Sequence, residues 1–151
     1  MNPRAALALA TLFLGTMQAQ STGQISKTVI SDPAQVLRLM RGEVTMLGSS
    51  FPNPTFQKGV LTNLRSRAVT KLTLLTTQEG LKNMAPLRAA GAVVYSLPAA
   101  GVNMTGNMTL VGSDTVIVQQ GARTWTIYRG AQMAAQVRGS LKTYFTYAKK
   151  F

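Results

Sequence analysis

A mixed β-sheet flanked by helices, an α/β fold, is what this sequence predicts, and three observations predict it. Strand-like and helix-like stretches alternate from about residue 36 to Leu97. The pattern then changes to hairpin-like strands between Met108 and Tyr128, and an apolar stripe at helical spacing runs on from Ala131. The chain has 151 residues, 46% of them apolar, which suits one domain with its own core.

The elements follow in order. Met1 to Arg4 is a short positive head, and Ala5 to Met17 is an apolar run too short to span a bilayer, followed at once by Gln18, Gln20 and Ser21. This is the pattern of an export signal cleaved after Ala19. The expected division is a signal peptide at 1–19, an N-terminal segment at 20–35 and a domain at 36–151, and the expected location is periplasmic or extracellular. Asp32-Pro33 has the form of an N-cap with Pro at the first helical position, and Val36, Leu37, Leu39 and Met40 fall on one helical face before Gly42. Glu43 to Leu47 is a strand ended by Gly48-Ser49-Ser50, and a loop with Pro52 and Pro54 follows. Phe56, Val60, Leu61 and Leu64 recur at helical spacing, with Arg65 and Arg67 where cations favour a helix C-terminus. Thr70 to Thr76 is a second strand, Gln78 to Ala90 a second helix stopped by Gly91, and Ala92 to Leu97 a third strand stopped by Pro98. Beyond it, Met108 to Val111 and Thr115 to Gln119 form a hairpin around Gly112-Ser113-Asp114. Thr124 to Tyr128 alternates with Trp125 and Ile127 on one face. A helical stripe from Met133 through Val137, Leu141 and Tyr144 carries on to the C-terminus.

Composition excludes much chemistry. There is no Cys and no His, so the chain has no disulfide, no thiolate nucleophile, no Ser-His-Asp triad and no ordinary zinc site. The four acids, Asp32, Glu43, Glu79 and Asp114, are far apart in sequence, a poor supply for a carboxylate dyad or a two-metal site. No metal and no cofactor is expected. Sixteen Lys and Arg give a net charge of +12, and removal of residues 1–19 takes away only Arg4, so +11 stays with the mature chain. Such a balance favours anionic partners.

The order strand, helix, strand, helix, strand and then a β-hairpin resembles one half of the phospholipase D superfamily, over about Val36 to Phe151. Three stretches carry the resemblance: Glu43 to Phe51, Phe56 to Thr76, and Leu87 to Leu97. The superfamily's signature, H-x-K-x-x-x-x-D followed by G-S-x-N, would fall on Thr105 to Ala122. Thr105 then stands at the histidine, Asn107 at the lysine, Gly112 at the aspartate, Gln119 and Gln120 at glycine and serine, and Ala122 at the asparagine. The resemblance implies a phosphodiesterase fold in which an imidazole attacks phosphorus and a second imidazole protonates the leaving oxygen. A chain without histidine performs neither step. Thr105 has a hydroxyl without an evident base, and Asn107 keeps hydrogen-bonding capacity without charge. The expectation is a phospholipase D-like half-domain that has lost its catalytic residues.

The candidate phosphate or nucleic-acid contacts are Arg65, Arg67, Lys71, Arg88, Asn107 and Arg123, although any one cation taken alone is as readily a solvated surface residue. The expected partner is a polyanion, DNA or RNA, with an anionic envelope component as competitor. The resemblance also implies a homodimer, or a heterodimer with a related chain, because the superfamily builds its site from two facing halves. Two other readings remain open at this point: an envelope assembly protein that keeps the fold as a dimerisation platform, and a divergent phosphodiesterase acting through Thr105.

Overall fold

In a computed structural model, residues 25–98 and 107–151 are described. Eight strands form a single mixed sheet: β1 (Ser26–Ile30), β2 (Gly42–Gly48), β3 (Val69–Thr77), β4 (Val93–Leu97), β5 (Asn107–Val111), β6 (Thr115–Gln119), β7 (Trp125–Arg129) and β8 (Lys149–Lys150). Their order across the sheet is β1-β7-β6-β5-β2-β3-β4-β8. Strands β2, β3 and β4 are parallel, and every other pairing is antiparallel.

Four helices cover the sheet: α1 (Pro33–Leu39), α2 (Pro54–Arg65), α3 (Leu81–Ala89) and α4 (Ala131–Tyr147). Strand alternation sorts the core into two layers. Val44, Met46, Leu72, Leu74, Val94, Ile117, Trp125 and Ile127 meet Val36 of α1 and Met40 just beyond it, Phe56, Val60 and Leu64 of α2, and Met84 and Leu87 of α3. Their sequence neighbours Leu75, Leu110, Val116 and Val118 point the other way, onto Met133, Ala134, Val137 and Leu141 of α4. The expected α/β class, a mixed sheet flanked by helices, is what the chain forms.

Each of α1, α2 and α3 runs back along the sheet into the start of the next parallel strand, so their N-termini gather at one end of the molecule and their C-termini at the other. Two N-termini are capped by side chains, the first as the sequence predicts. The Ala34 amide donates to the Asp32 carboxylate at 2.9 Å, and the Phe56 amide donates to Asn53 Oδ1 at 2.9 Å.

At its two edges the structure adds short strands to the sheet. Residues 26–30, set ahead of the domain in the sequence reading, form edge strand β1, paired from Ser26↔Arg129 to Ile30↔Trp125. Its exposed residues give no apolar alternation to read, since they have only one strand neighbour and little core beneath them. The last helix stops at Tyr147 instead of running to the end. Ala148 is extended, Lys149 pairs with Ser96, and the Phe151 amide donates to the Val94 carbonyl at 2.9 Å. No helix among the described residues is long and apolar enough to cross a membrane.

Candidate functional site

The carboxyl ends of β2, β3 and β4 face the N-termini of α2 and α3, the usual place for a site in an open α/β sheet. Register sets a row of residues across that end on the face carrying α1 to α3. Gly48 is opposite Asn107, Asn107 opposite Gln119, and Gln119 opposite Trp125; on the other side of Gly48, Thr76 is opposite Ser96. Asn107, Gln119, Thr76, Ser96 and Trp125 are all buried.

The row is polar and contains no ionisable group. Asn107 Nδ2 donates to Gln119 Oε1 at 3.2 Å, and the Gln119 amide nitrogen has no partner among the described residues. The Trp125 indole nitrogen and the Thr76 hydroxyl are likewise buried and unpartnered, so every such orphan among the described residues lies on this one row. Buried donors without acceptors are uncommon and mark either a water-holding or a ligand-holding position.

The rim is tied together by loop contacts. Asn53 Nδ2 donates to the Ala122 carbonyl at 2.8 Å, joining the β2–α2 loop to the β6–β7 loop, and Asn83 Nδ2 donates to the Ser49 carbonyl at 3.0 Å. Gly80 closes onto Thr76 so tightly that a Cβ there would stand 2.1 Å from the Thr76 hydroxyl and 2.9 Å from Ser49 backbone. Phe51, on the loop after β2, packs its ring 6.3 Å from Phe56, which in turn lies 5.4 Å from Trp125.

The predicted site residues divide between the two ends of the sheet. Asn107 sits in the row, and Arg123 is exposed on the β6–β7 loop at the same end. Thr105 lies outside the described residues. Gly112 is five residues along β5, roughly 17 Å away at strand spacing. It occupies the hairpin turn with φ +56, its amide donating to the Glu43 carbonyl and its carbonyl accepting from Arg138. Arg65 ends α2, Arg67 follows it, Lys71 is near the start of β3, and Arg88 lies in the last turn of α3. All four are at the end opposite the row. Sequence analysis does not single out Thr76, Ser96 or Trp125 as site residues. No group of three or more potential metal-ligating side chains occurs among the described residues. Burial pushes the Tyr144 phenol up, but that group is on the α4 side, away from the row.

The sheet order and its flanking helices define the class: this is a phospholipase D-like fold. It is similar to Nuc from Salmonella typhimurium, a phospholipase D family member, with a TM-score of 0.64 and 12% identity over 85% of this chain and 99% of that one. NucT from Helicobacter pylori matches with a TM-score of 0.62 and 11% identity over 85% of this chain and 100% of the other. TrmBL2, an archaeal chromatin protein described as having a novel mode of DNA binding, matches with a TM-score of 0.58 and 12% identity over 98% of this chain and 63% of that one. No family model and no curated protein matches the sequence.

Proposed function

We propose that this protein is an exported, non-catalytic phospholipase D-like domain that binds a polyanion, nucleic acid in the first place, through its basic surface. The observation that carries the reading is the contrast between site and charge. Where the resemblance puts a lysine, a buried Asn107 is locked to Gln119 in a row without an ionisable group, yet the chain keeps a net charge of +12 and contains no histidine. Loss of the reactive groups with retention of cationic character leaves binding without turnover. That a DNA-binding chromatin protein shares the fold supports nucleic acid as the ligand. Export rests on the residue pattern at 1–19, and dimerisation on the two-halved site the resemblance implies.

The test is a titration of fluorescently labelled DNA with the purified chain across a salt series, beside an assay with a bis-phenyl phosphodiester. The expected result is binding whose log affinity falls steeply with log salt, and no phosphodiester turnover. Absence of binding at low ionic strength removes the reading. Turnover lost on Thr105→Ala would make the protein a divergent phosphodiesterase, and a monomer by light scattering would remove the proposed dimer.

A further inference from the structure

Resting on the polyanion-binding reading, we infer that the nucleic-acid backbone docks on the pole opposite the neutral row, on the two adjoining loops that lead into β2 and β3. Arg38 and Arg41 lie on the first loop and its preceding helix turn, and Arg65 and Arg67 on the second. The Gly42 amide donates to the Ala68 carbonyl at 2.8 Å, so Arg41 and Arg67 precede residues already bonded to each other. Asn63 Nδ2 donates to the Leu37 carbonyl at 3.0 Å and reaches Met40, fixing the end of α1 to the last turns of α2. Four exposed arginines are thereby held on one frame, flanked by Lys71 and, beyond them, Arg88. Glu43, in register with Lys71, is the nearby acid, and among the described residues none of these cations forms an ion pair.

The C-terminal helix dipoles account for cations in the last turns, and so for Arg38, Arg65 and Arg88. They do not account for Arg67. Its φ is +64, and it is the one non-glycine residue with positive φ among those described. This left-handed position after a helix is where glycine is cheapest, and a side chain there costs conformational energy. A cation kept in the position that penalises it points to a task for the side chain rather than for the backbone.

Nucleic acid fits this surface better than a lipid bilayer does. The four central cations are all arginine, whose planar fork matches phosphate oxygens bidentately. A membrane-docking face also offers large apolar side chains to insert. Among the described residues the exposed ones, Val29, Tyr147 and Phe151, belong to β1, the end of α4 and the C-terminus, away from these loops. The rigid frame presents the arginines as backbone contacts, so binding should be indifferent to sequence.

Arg67→Gly makes the sharpest test, because it relaxes the backbone while removing the charge. The full chain carrying it should fold at least as stably as the original, bind a labelled DNA duplex several-fold more weakly, and show a log-affinity versus log-salt slope shallower by about one. An Arg41→Ala, Arg65→Ala, Arg67→Gly triple variant should lose at least tenfold in affinity at 0.1 M salt, while Lys82→Ala with Lys149→Ala at the opposite end should change it less than twofold. Unchanged affinity in the triple variant, or loss carried by Arg123→Ala instead, overturns the placement and leaves the polyanion reading standing. An original chain that binds no DNA overturns both. Binding to phosphatidylglycerol vesicles but not to DNA, abolished by the same triple variant, would overturn nucleic acid as the partner.

Discussion

Single residues of the buried row already carry measurable consequences. Thr76 is completely buried on central strand β3, and its hydroxyl has no partner among the described residues. Valine has the same shape without the polar atom, so Thr76→Val should raise stability by about 1 kcal/mol, the desolvation cost of an unsatisfied hydroxyl. Urea denaturation reads this directly, and a loss of stability would mean that the hydroxyl has a partner such as a buried water. Gly80 gives the opposite sign. Its φ of −77 suits any residue, so backbone freedom does not explain the glycine. Packing does: in Gly80→Ala the new methyl meets the Thr76 hydroxyl and Ser49 backbone, and overpacking of this kind costs roughly 1–3 kcal/mol. If the alanine variant proved as stable as the original, the loop would have to be looser than this contact requires. The register that lines up Asn107 and Gln119 was legible in the sequence, because a three-residue turn at 112–114 matches each step back along β5 with one forward along β6. What the sequence did not show was the consequence, that Asn107, which the resemblance sets at the motif lysine, would be bonded across the hairpin and withdrawn from solvent.

At the scale of elements, the internal strands and their covering helices could be read because each has a buried face with its own period. The edges could not. Strand β1 is exposed along its length, and β8 is two lysines whose pairing is decided by where α4 ends. The loops at the carboxyl edge depend on single polar residues, and Asn53 shows how. Its carbonyl oxygen caps α2 through the Phe56 amide while its amide nitrogen reaches Ala122 across the rim. Asn53→Ala should therefore cost about 1–2 kcal/mol, the range for a lost cap with an added cross-loop bond. Asn53→Asp keeps the acceptor and places a negative charge at the helix N-terminus, so it should recover most of that loss while still releasing Ala122. Hydrogen exchange at 121–124 should quicken in both variants, and equal stability losses in the two would mean that the rim contact, rather than the cap, is what matters.

For the whole molecule, the direction of the helices decides what the charges can do. The sequence shows an arginine closing each of three helices, but placing them together requires knowing that β2, β3 and β4 are parallel and that α1, α2 and α3 all end at the same pole. The candidate contacts grouped by sequence analysis thus separate into a neutral buried row at one end and an exposed arginine cluster at the other, with Arg123 left beside the row. Crowding like charges on one pole opposes folding in the free protein. The Debye length shrinks from about 30 Å at 0.01 M salt to about 8 Å at 0.15 M, so added NaCl in this range should screen the repulsion and raise stability. We expect a gain of about 1 kcal/mol, some 3 °C in melting temperature for a chain of this size. Arg65→Glu with Arg67→Glu should capture much of that gain at low salt and flatten the salt dependence, even as it removes the surface proposed for DNA. A melting temperature that falls as NaCl is added would show that attractive pairs dominate the surface field, and the arginine cluster would then not be the electrostatic burden that its uncompensated placement implies.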